Sequence, residues 1–264
     1  MPAVLIAAAL VAAATACTSS GSSGTSTAGS SPGSSTKASA TDSAATATAS
    51  ASAAGAGRLT GAAATALLSK AIADTKAAPT LEVKDAGLTS GTADETTSFD
   101  LTLVRNVGCK GTIAQLKTQS MQLVVLHGST WLKPSNAFYK SLKFSQAELA
   151  LVANKWIKLK SSDSEGASMA QLCTFSYLLG SLKAPTGTAF VATPVTYDGH
   201  RAYEMTLPGQ QGHAYITNSA TPTLAELALP GGSGTAITFH AYDTTPTITA
   251  PSAAESMDGG AVGF

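Results

Sequence analysis

Histidines and one Ser-x-x-Lys pair are the residues of this chain whose types suit acid–base or nucleophilic chemistry. The histidines are His127, His200, His213 and His240. No two of them have the i, i+4 spacing, with a nearby acid, that holds a metal ion on a helix. The Ser-x-x-Lys pair, Ser34 to Lys37, lies in a stretch of small polar residues rather than beside a predicted pocket. We therefore expect no catalytic residue, no metal site and no other cofactor.

The three cysteines are the next candidates for chemistry, and Cys17 stands apart from the others. It follows MPAVLIAAALVAAATA, residues 1–16, which is apolar, too short to span a bilayer comfortably, and ends in small residues. This pattern predicts an export signal peptide over 1–16. The run Ala14-Thr15-Ala16-Cys17 resembles the lipobox of bacterial lipoproteins, in which the signal is cut before a cysteine whose sulfur carries diacylglycerol. The resemblance implies a lipidated Cys17, with acyl chains such as palmitate, that anchors the chain on the extracytoplasmic side of the cell membrane. The alternative is an ordinary secretory signal with an incidental cysteine.

The segment after Cys17 is composed almost entirely of Ser, Thr, Ala and Gly. Between Thr18 and Gly57 the charged residues are Lys37 and Asp42 alone. Such a composition cannot bury enough apolar surface to offset the entropy of ordering, so it predicts disorder. A flexible coil of about 40 residues reaches roughly 35 Å, which suits a tether over 17–57. An O-glycosylated stalk is a second interpretation of the same composition.

The charge balance argues against nucleic acid as a partner. The 264 residues include 16 basic and 16 acidic side chains, so the formal net charge is zero. Nucleic-acid binding usually requires a clear basic excess. We expect a monomer, with contacts to the membrane through the anchor.

Residues 58–264 have the length and the periodicities of one α+β domain. LTGAAATALLSKAIADTKAAP ends at Pro79 and has apolar residues near helical spacing, namely Leu59, Ala63, Leu67, Ile72 and Ala73. SQAELALVA and MAQLCTFSYLLGSL are further helix candidates. SFDLTLV, GTIAQL, MQLVVLHG, STWLKP, KWIKLK, RAYEMTL, HAYITN and TAITFHAY read as strands separated by turn residues. So many strands with one apolar face predict a curved antiparallel β-sheet with a few α-helices against its concave face.

Four segments, taken in order, resemble one family. They are HGSTWLKPSNAFYKSL (127–142), NKWIKL (154–159), VTYDGHRAYEMTL (195–207) and GTAITFHAYDTTPTITAPSAAES (234–256). Together with the lipobox they resemble the LolA-like superfamily, in particular the LppX/LprG-like lipoproteins of actinobacteria. The resemblance covers nearly the whole chain after residue 59. It implies a half-barrel that encloses an apolar cavity for lipid acyl chains, and carriage or handling of lipids without catalysis.

Cys109 and Cys173 remain once Cys17 is assigned to the anchor. An exported protein folds in oxidising surroundings, where an even pair of cysteines indicates a disulfide. The alternative is two buried free thiols.

Two functions remain open. In the first, the domain binds a lipid or acylated ligand in an apolar cavity, with about 0.8 kcal/mol gained for each buried methylene. The side chains expected to line that cavity follow from strand parity and from the face of the second long helix. They are Leu101, Leu103, Leu123, Val125, Leu132, Phe175, Leu179, Ile237 and Phe239. In the second, the half-barrel has filled its own cavity and serves as a non-catalytic envelope interaction or sensory module.

Overall fold

The structure is a computed structural model that describes residues 57–89, 96–115, 118–160, 162–184, 190–206, 212–228, 236–240, 242 and 244–262. All of them belong to one unit, Ala56–Phe264. The predicted signal peptide, Cys17 and all but the last residue of the predicted tether lie outside the described residues, so the division of the chain into three parts stays a prediction. In the described part, no helix has both the length and the apolar character needed to span a bilayer.

Five α-helices occur in the described residues. They are α1 (Ala62–Ala77), α2 (Asn136–Ser141), α3 (Gln146–Val152), α4 (Ser164–Leu172) and α5 (Phe175–Leu179). The longest, α1, ends just before Pro79, which cannot continue a helix. Helix α3 begins with a capping box, because the Ser145 hydroxyl accepts from the Glu148 N–H while the Glu148 carboxylate accepts from the Ser145 N–H. A 3₁₀ turn, Gly259–Val262, closes the described part.

Thirteen strands form one sheet. They are β1 (Leu59–Thr60), β2 (Thr80–Thr89), β3 (Thr96–Val104), β4 (Gly108–Gln115), β5 (Gln119–Leu126), β6 (Ser129–Pro134), β7 (Trp156–Lys160), β8 (Val191–Tyr197), β9 (His200–Thr206), β10 (His213–Thr217), β11 (Leu224–Ala228), β12 (Ala236–His240) and β13 (Ser256–Asp258). Their order across the sheet is β1-β8-β9-β10-β11-β12-β2-β3-β4-β5-β6-β7-β13. Neighbours are antiparallel except β7 and β13, which are parallel. Within the described residues the two end strands do not meet, so the sheet is not a closed barrel.

The sheet curves around the helices, and the contacts between elements explain why. Helix α1 packs on β10 and β11, whereas α4 packs on β6 and β7, and α5 contacts both α1 and α4. Five strands, β12 and β2 to β5, separate these two contact regions. One connected helix layer can touch both regions because the sheet bends over it. The predicted α+β class, a curved antiparallel sheet over a few helices, is therefore confirmed.

Two sequence-based expectations about the helices need correction. MAQLCTFSYLLGSL was expected to be one helix, but the structure breaks it at Cys173 and Thr174, where the Thr174 hydroxyl caps α5 by accepting from Tyr177 N–H. The buried face of α1 is also displaced by about one residue. Ala64, Leu68, Ala71 and Thr75 are buried, whereas Ala63 and Ala73 are exposed.

Candidate functional site

The strand residues predicted to line a cavity lie on one face of the sheet, as the backbone register demonstrates. Leu101 of β3 and Leu123 of β5 both pair with Gly111 of β4, and Leu123 pairs in turn with Leu132 of β6. One step along the strands, Cys109 pairs with Leu103 on one side and with Val125 on the other. Since side chains two residues apart share a face, these two rows form one apolar surface toward the helices.

This inner face is packed rather than open. The exposed fractions of the predicted residues are 1% for Leu101, 0% for Leu103, 0% for Leu123, 9% for Val125, 5% for Leu132, 1% for Leu179 and 2% for Phe239. Phe175 and Ile237 are partly exposed, and the Phe175 ring carries the Arg105 guanidinium 4.1 Å from its centre. Their role as ligand contacts stays a prediction.

A disulfide joins the inner face to the helix layer. Cys109, which is fully buried on β4, is bonded to Cys173 at the end of α4, with the two Cα atoms 5.3 Å apart. The predicted bond is thus present in the structure. This disulfide links the central strand β4 to the junction between α4 and α5.

An open cavity of about 450 Å³ lies on the opposite face of the sheet. Lys84 pairs with Thr238 and Asp100, and Asp100 pairs with Thr112, so these four lining residues form one row that alternates with the apolar rows. We call this cavity the polar groove. The Lys84 ammonium lies 2.8 Å from a Glu82 carboxylate oxygen and 3.3 Å from one of Asp100. The hydrogen bond to Glu82 is the main cause that raises the pKa of Lys84.

The second cavity, about 370 Å³, lies where the β8–β9 hairpin meets the end of β12, and we call it the hairpin cavity. Its lining residues are Tyr197, Asp198, His200, Arg201, Ala202, Thr217, Ala225, Phe239, His240, Tyr242 and Thr244. Three of them, Ala202, Ala225 and Phe239, are apolar and less than a tenth exposed. The polar groups come from the exposed hairpin residues and from His240. An apolar floor with a few polar groups at its rim is the usual composition of a small-molecule site.

Local structure accounts for the position of the floor. β11 is paired irregularly with β10, since Tyr215 pairs with Glu226 and Ile216 pairs with Leu224, which leaves Ala225 as the extra residue of a bulge. The Asp198-Gly199 turn has φ values of 48° and 75°, the left-handed pair that closes a two-residue hairpin. The bulge and the hairpin together place Ala225 and Tyr197 at the same cavity.

Hydrogen bonds hold the cavity wall to helix α1. The Leu224 N–H donates to the Thr75 hydroxyl at 2.9 Å, and the Tyr242 hydroxyl donates to the Leu224 carbonyl. Thr75 is fully buried, and burial raises the pKa of Tyr242 above its usual range. A tyrosine hydroxyl is protonated at physiological pH even at its ordinary pKa of about 10, so the Tyr242 hydroxyl donates there.

Tyr197 connects the cavity to a second polar cluster. Its hydroxyl donates to Glu226 at 2.7 Å, and the other oxygen of Glu226 lies 2.8 Å from His213 Nε2. The Tyr197 ring stacks on Tyr215 with the ring centres 4.3 Å apart. Burial, followed by the Glu226 hydrogen bond, raises the pKa of Tyr197. Both oxygens of Glu226 are engaged, one by Tyr197 and one by His213, so this cluster positions the Tyr197 side chain.

The described residues contain no cluster of three or more His, Cys, Asp or Glu side chains that could hold a metal ion. His200 and His240 border the hairpin cavity, His213 belongs to the Glu226 cluster, and His127 occupies a turn with φ 51°. The four histidines thus lie in three separate places, and two of them, His200 and His240, share the hairpin cavity.

The fold is similar to that of several solved structures. LprF from Mycobacterium bovis has a TM-score of 0.47 and 11% identity over 71% of this chain and 96% of its own. The lipoprotein LppX from Mycobacterium tuberculosis has a TM-score of 0.43 and 16% identity over 71% and 98%. A LolA superfamily protein from Nitrosomonas europaea has a TM-score of 0.23 and 12% identity over 69% and 94%. These are the groups that the sequence resembles, and the similarity concerns the fold alone. No protein-family model matches the chain, and no curated protein matches it in sequence.

Sequence reasoning identified one hairpin-cavity residue, Phe239, among those predicted to bind a ligand. It did not identify Ala202, Ala225 or Tyr242. Asp-Gly is a typical two-residue hairpin sequence, and it occurs at 198–199 within the quoted segment VTYDGHRAYEMTL, but nothing in the local pattern indicates that this turn meets β12.

Proposed function

We propose that this chain is a non-catalytic envelope lipoprotein, anchored at the cell membrane through Cys17, that binds a lipid or acylated molecule for carriage or handling across the envelope. The observation that carries the proposal is the hairpin cavity, with its buried floor of Ala202, Ala225 and Phe239 below a polar rim. The sequence resemblance to lipid-handling lipoproteins adds support. The anchor itself rests on the lipobox resemblance.

The size of the hairpin cavity limits the ligand. Its volume of about 370 Å³ is near the lower end of the range for small-molecule sites, roughly 300 to 1,000 Å³. It suits one acyl chain, or part of one, rather than a molecule with several chains inside. The polar rim then remains for the head group, to which Arg201, His200 and His240 offer N–H donors.

The experiment is native mass spectrometry of the full secreted chain with Cys17→Ser, purified without detergent and titrated with palmitate and with a single-chain phospholipid. We expect one bound ligand, and Ala225→Leu should weaken binding at least about tenfold because a larger side chain occupies the floor. Ala114→Leu, in the polar groove, is the matched control and should bind normally. Membrane fractions of the unaltered chain, compared with Cys17→Ser, report on the anchor.

A second candidate is favoured by the packed inner face. Leu101, Leu103 and Leu123 are at most 1% exposed, which is the burial expected of a half-barrel that has filled its own cavity. On that basis the domain is a non-catalytic interaction or sensory module. Absence of any lipid adduct in the titration, or equal weakening by Ala225→Leu and Ala114→Leu, would reject the hairpin cavity as a lipid site and leave this candidate.

A further inference from the structure

The segment 136–155, which comprises α2, α3 and the residues that follow them, exposes apolar side chains to solvent. We call it the α2–α3 unit. Three large hydrophobic side chains are exposed among the described residues, and two of them, Leu142 (40%) and Leu151 (70%), belong to this unit. Leu151 is the most exposed of the three. Single exposed leucines are common on soluble proteins, so the neighbourhood of these two decides their meaning.

The exposed leucines are not needed to hold the unit on the domain. Leu149 and Val152 form the buried face of α3, and they cluster with Tyr139 of α2. The Tyr139 and Phe144 rings pack with their centres 5.2 Å apart, which joins the two helices. Leu151 lies two residues after Leu149 and one before Val152, so it lies off that buried face. The unit is therefore packed on itself through Tyr139, Leu149 and Val152, and Leu142 and Leu151 lie outside these contacts.

The charges of the unit are mostly positive. It contains three lysines, Lys140, Lys143 and Lys155, and one acid, Glu148, so its net charge is 3 − 1 = +2 in a chain whose total is zero. The Glu148 carboxylate accepts from Ser145 in the capping box, and the hydrogen bonds to Ser145 lower the pKa of Glu148. Lys155 donates to the Ala254 carbonyl at 2.8 Å and interacts electrostatically with Glu255, so Lys140 and Lys143 are the lysines of the unit that we assign to an outside partner.

Exposed leucines beside lysines match the surface of an anionic bilayer. Leucine side chains gain free energy when they enter the boundary between head groups and acyl chains, and lysines are attracted by anionic lipids. Lysine stems also let their ammonium groups reach the head groups while the neighbouring apolar side chains are buried.

We propose that the α2–α3 unit docks on an anionic membrane surface, with Leu151 and Leu142 inserted and Lys140 and Lys143 among the lipid phosphates. This contact differs from the acyl anchor and from the ligand cavity, and it rests on neither. It would give the domain a defined orientation at the membrane.

The test is site-specific insertion of a tryptophan into vesicles. Leu151→Trp is introduced into the full chain carrying Cys17→Ser, which removes any contribution of acylation. Vesicles of phosphatidylglycerol and phosphatidylcholine, with brominated acyl chains, quench a tryptophan that enters the bilayer. The matched control is Val107→Trp, which replaces the third exposed hydrophobic residue (42%), in the β3–β4 turn. Circular dichroism and thermal unfolding verify that both variants keep the fold.

We expect the Leu151→Trp chain to be quenched more strongly than the parent chain, and the Val107→Trp chain to be quenched no more than the parent. Leu142→Ser combined with Leu151→Ser should lower the vesicle partition coefficient at least about tenfold, because two leucines lose their burial. Lys140→Gln combined with Lys143→Gln, or high salt, should remove the preference for anionic over pure phosphatidylcholine vesicles.

Three outcomes would overturn the proposal. The first is equal quenching at positions 151 and 107. The second is vesicle binding that is unchanged in the double serine variant. The third is a chain that does not bind vesicles and forms a dimer, while the double serine variant is monomeric in solution. That result would assign the exposed leucines to a contact between two copies of the chain.

Discussion

At the residue scale, Tyr139 combines complete burial with a hydroxyl that has no hydrogen-bond partner among the described residues. Its ring is in contact with Phe138 and Phe144, so aromatic packing supplies its stabilising interactions. Burial raises the pKa of Tyr139 to about 12, because the phenolate is unfavourable away from water. The Tyr139 ring therefore stabilises the fold, whereas its hydroxyl does not.

We predict that Tyr139→Phe leaves the free energy of unfolding at pH 7 unchanged or raises it by up to about 1 kcal/mol. The sign at high pH follows from linkage. Between pH 10 and 12 the unfolded chain loses the Tyr139 proton while the folded chain keeps it, so folding stability falls as pH rises in this window. In Tyr139→Phe, the part of this fall in folding stability that comes from Tyr139 should be absent. Urea unfolding from pH 7 to 11 measures both effects, and Tyr177→Phe, on a partly exposed tyrosine, is the control.

A loss of more than about 1 kcal/mol at pH 7 would contradict this interpretation of Tyr139. It would mean that its hydroxyl makes a hydrogen bond outside the protein atoms described here.

At the scale of elements, Arg105 connects three segments. It follows β3, its Nε donates to the Ala78 carbonyl at 3.0 Å, and its Nη2 donates to the Lys76 carbonyl at the end of α1. The same guanidinium lies over the Phe175 ring of α5. A positive charge beside the C-terminal end of a helix also interacts favourably with the helix dipole. Nearby, the Lys76 ammonium donates to the Leu182 carbonyl at 2.6 Å, which ties α1 to the residues after α5.

We predict that Arg105→Lys lowers the free energy of unfolding by about 1 to 2 kcal/mol, although it keeps the charge. Lysine cannot donate from two nitrogens in a fixed plane and stack on Phe175 at the same time. Arg58→Lys, on an exposed arginine, should change stability by less than about 0.5 kcal/mol. Chemical denaturation measures the difference, and equal effects of the two substitutions would show that the planar contacts of Arg105 contribute nothing.

At the scale of the whole molecule, the sheet ends in short strands and is joined to its helices by the disulfide. β1 has two residues and β13 has three, and β8, next to β1, contains Pro194. Short edges and an edge proline limit pairing with other chains. The C-terminal residues add a small apolar cluster on the outer face, where Ile248 packs with Val124 and Trp131. Both faces of β5 and β6 are therefore covered.

We predict that replacing Cys109 and Cys173 together by alanine lowers the free energy of unfolding by about 4 kcal/mol as an upper value. The bond closes a loop with a sequence separation of 64 residues, whose entropy in the unfolded chain accounts for that amount. Urea unfolding in the Cys17→Ser background, with and without a reductant, measures it. The reductant should destabilise the parent and leave the double variant unaffected. A parent that is insensitive to complete reduction would contradict the role of the bond.

Much of the fold could be predicted from local patterns, and particular segments mark the limit. The strand around Leu101 and Leu103 has a clear period of two, and α1 has a clear period near 3.6 that ends at a proline. LAELA, residues 224–228, was not recognised because Leu, Ala and Glu favour helices. It is a strand because β10 and β12 supply backbone partners on both sides. The break at Cys173 and Thr174 likewise divides a segment whose apolar residues keep helical spacing throughout, because Cys173 is tied to β4 by the disulfide and the Thr174 hydroxyl caps α5.

The sequence by itself determined which strand residues share a face, because side-chain alternation is a property of the local backbone. Once Cys17 was assigned to the predicted anchor, Cys109 and Cys173 were the one pair left to form a disulfide. Only the tertiary structure decided that the inner face is packed. It also decided that the 370 Å³ cavity lies beside the β8–β9 hairpin, and that Leu142 and Leu151 remain outside. Burial depends on which distant elements contact one another. Ala202, Ala225 and Phe239 are far apart in the sequence, and no local pattern indicates that they line one cavity.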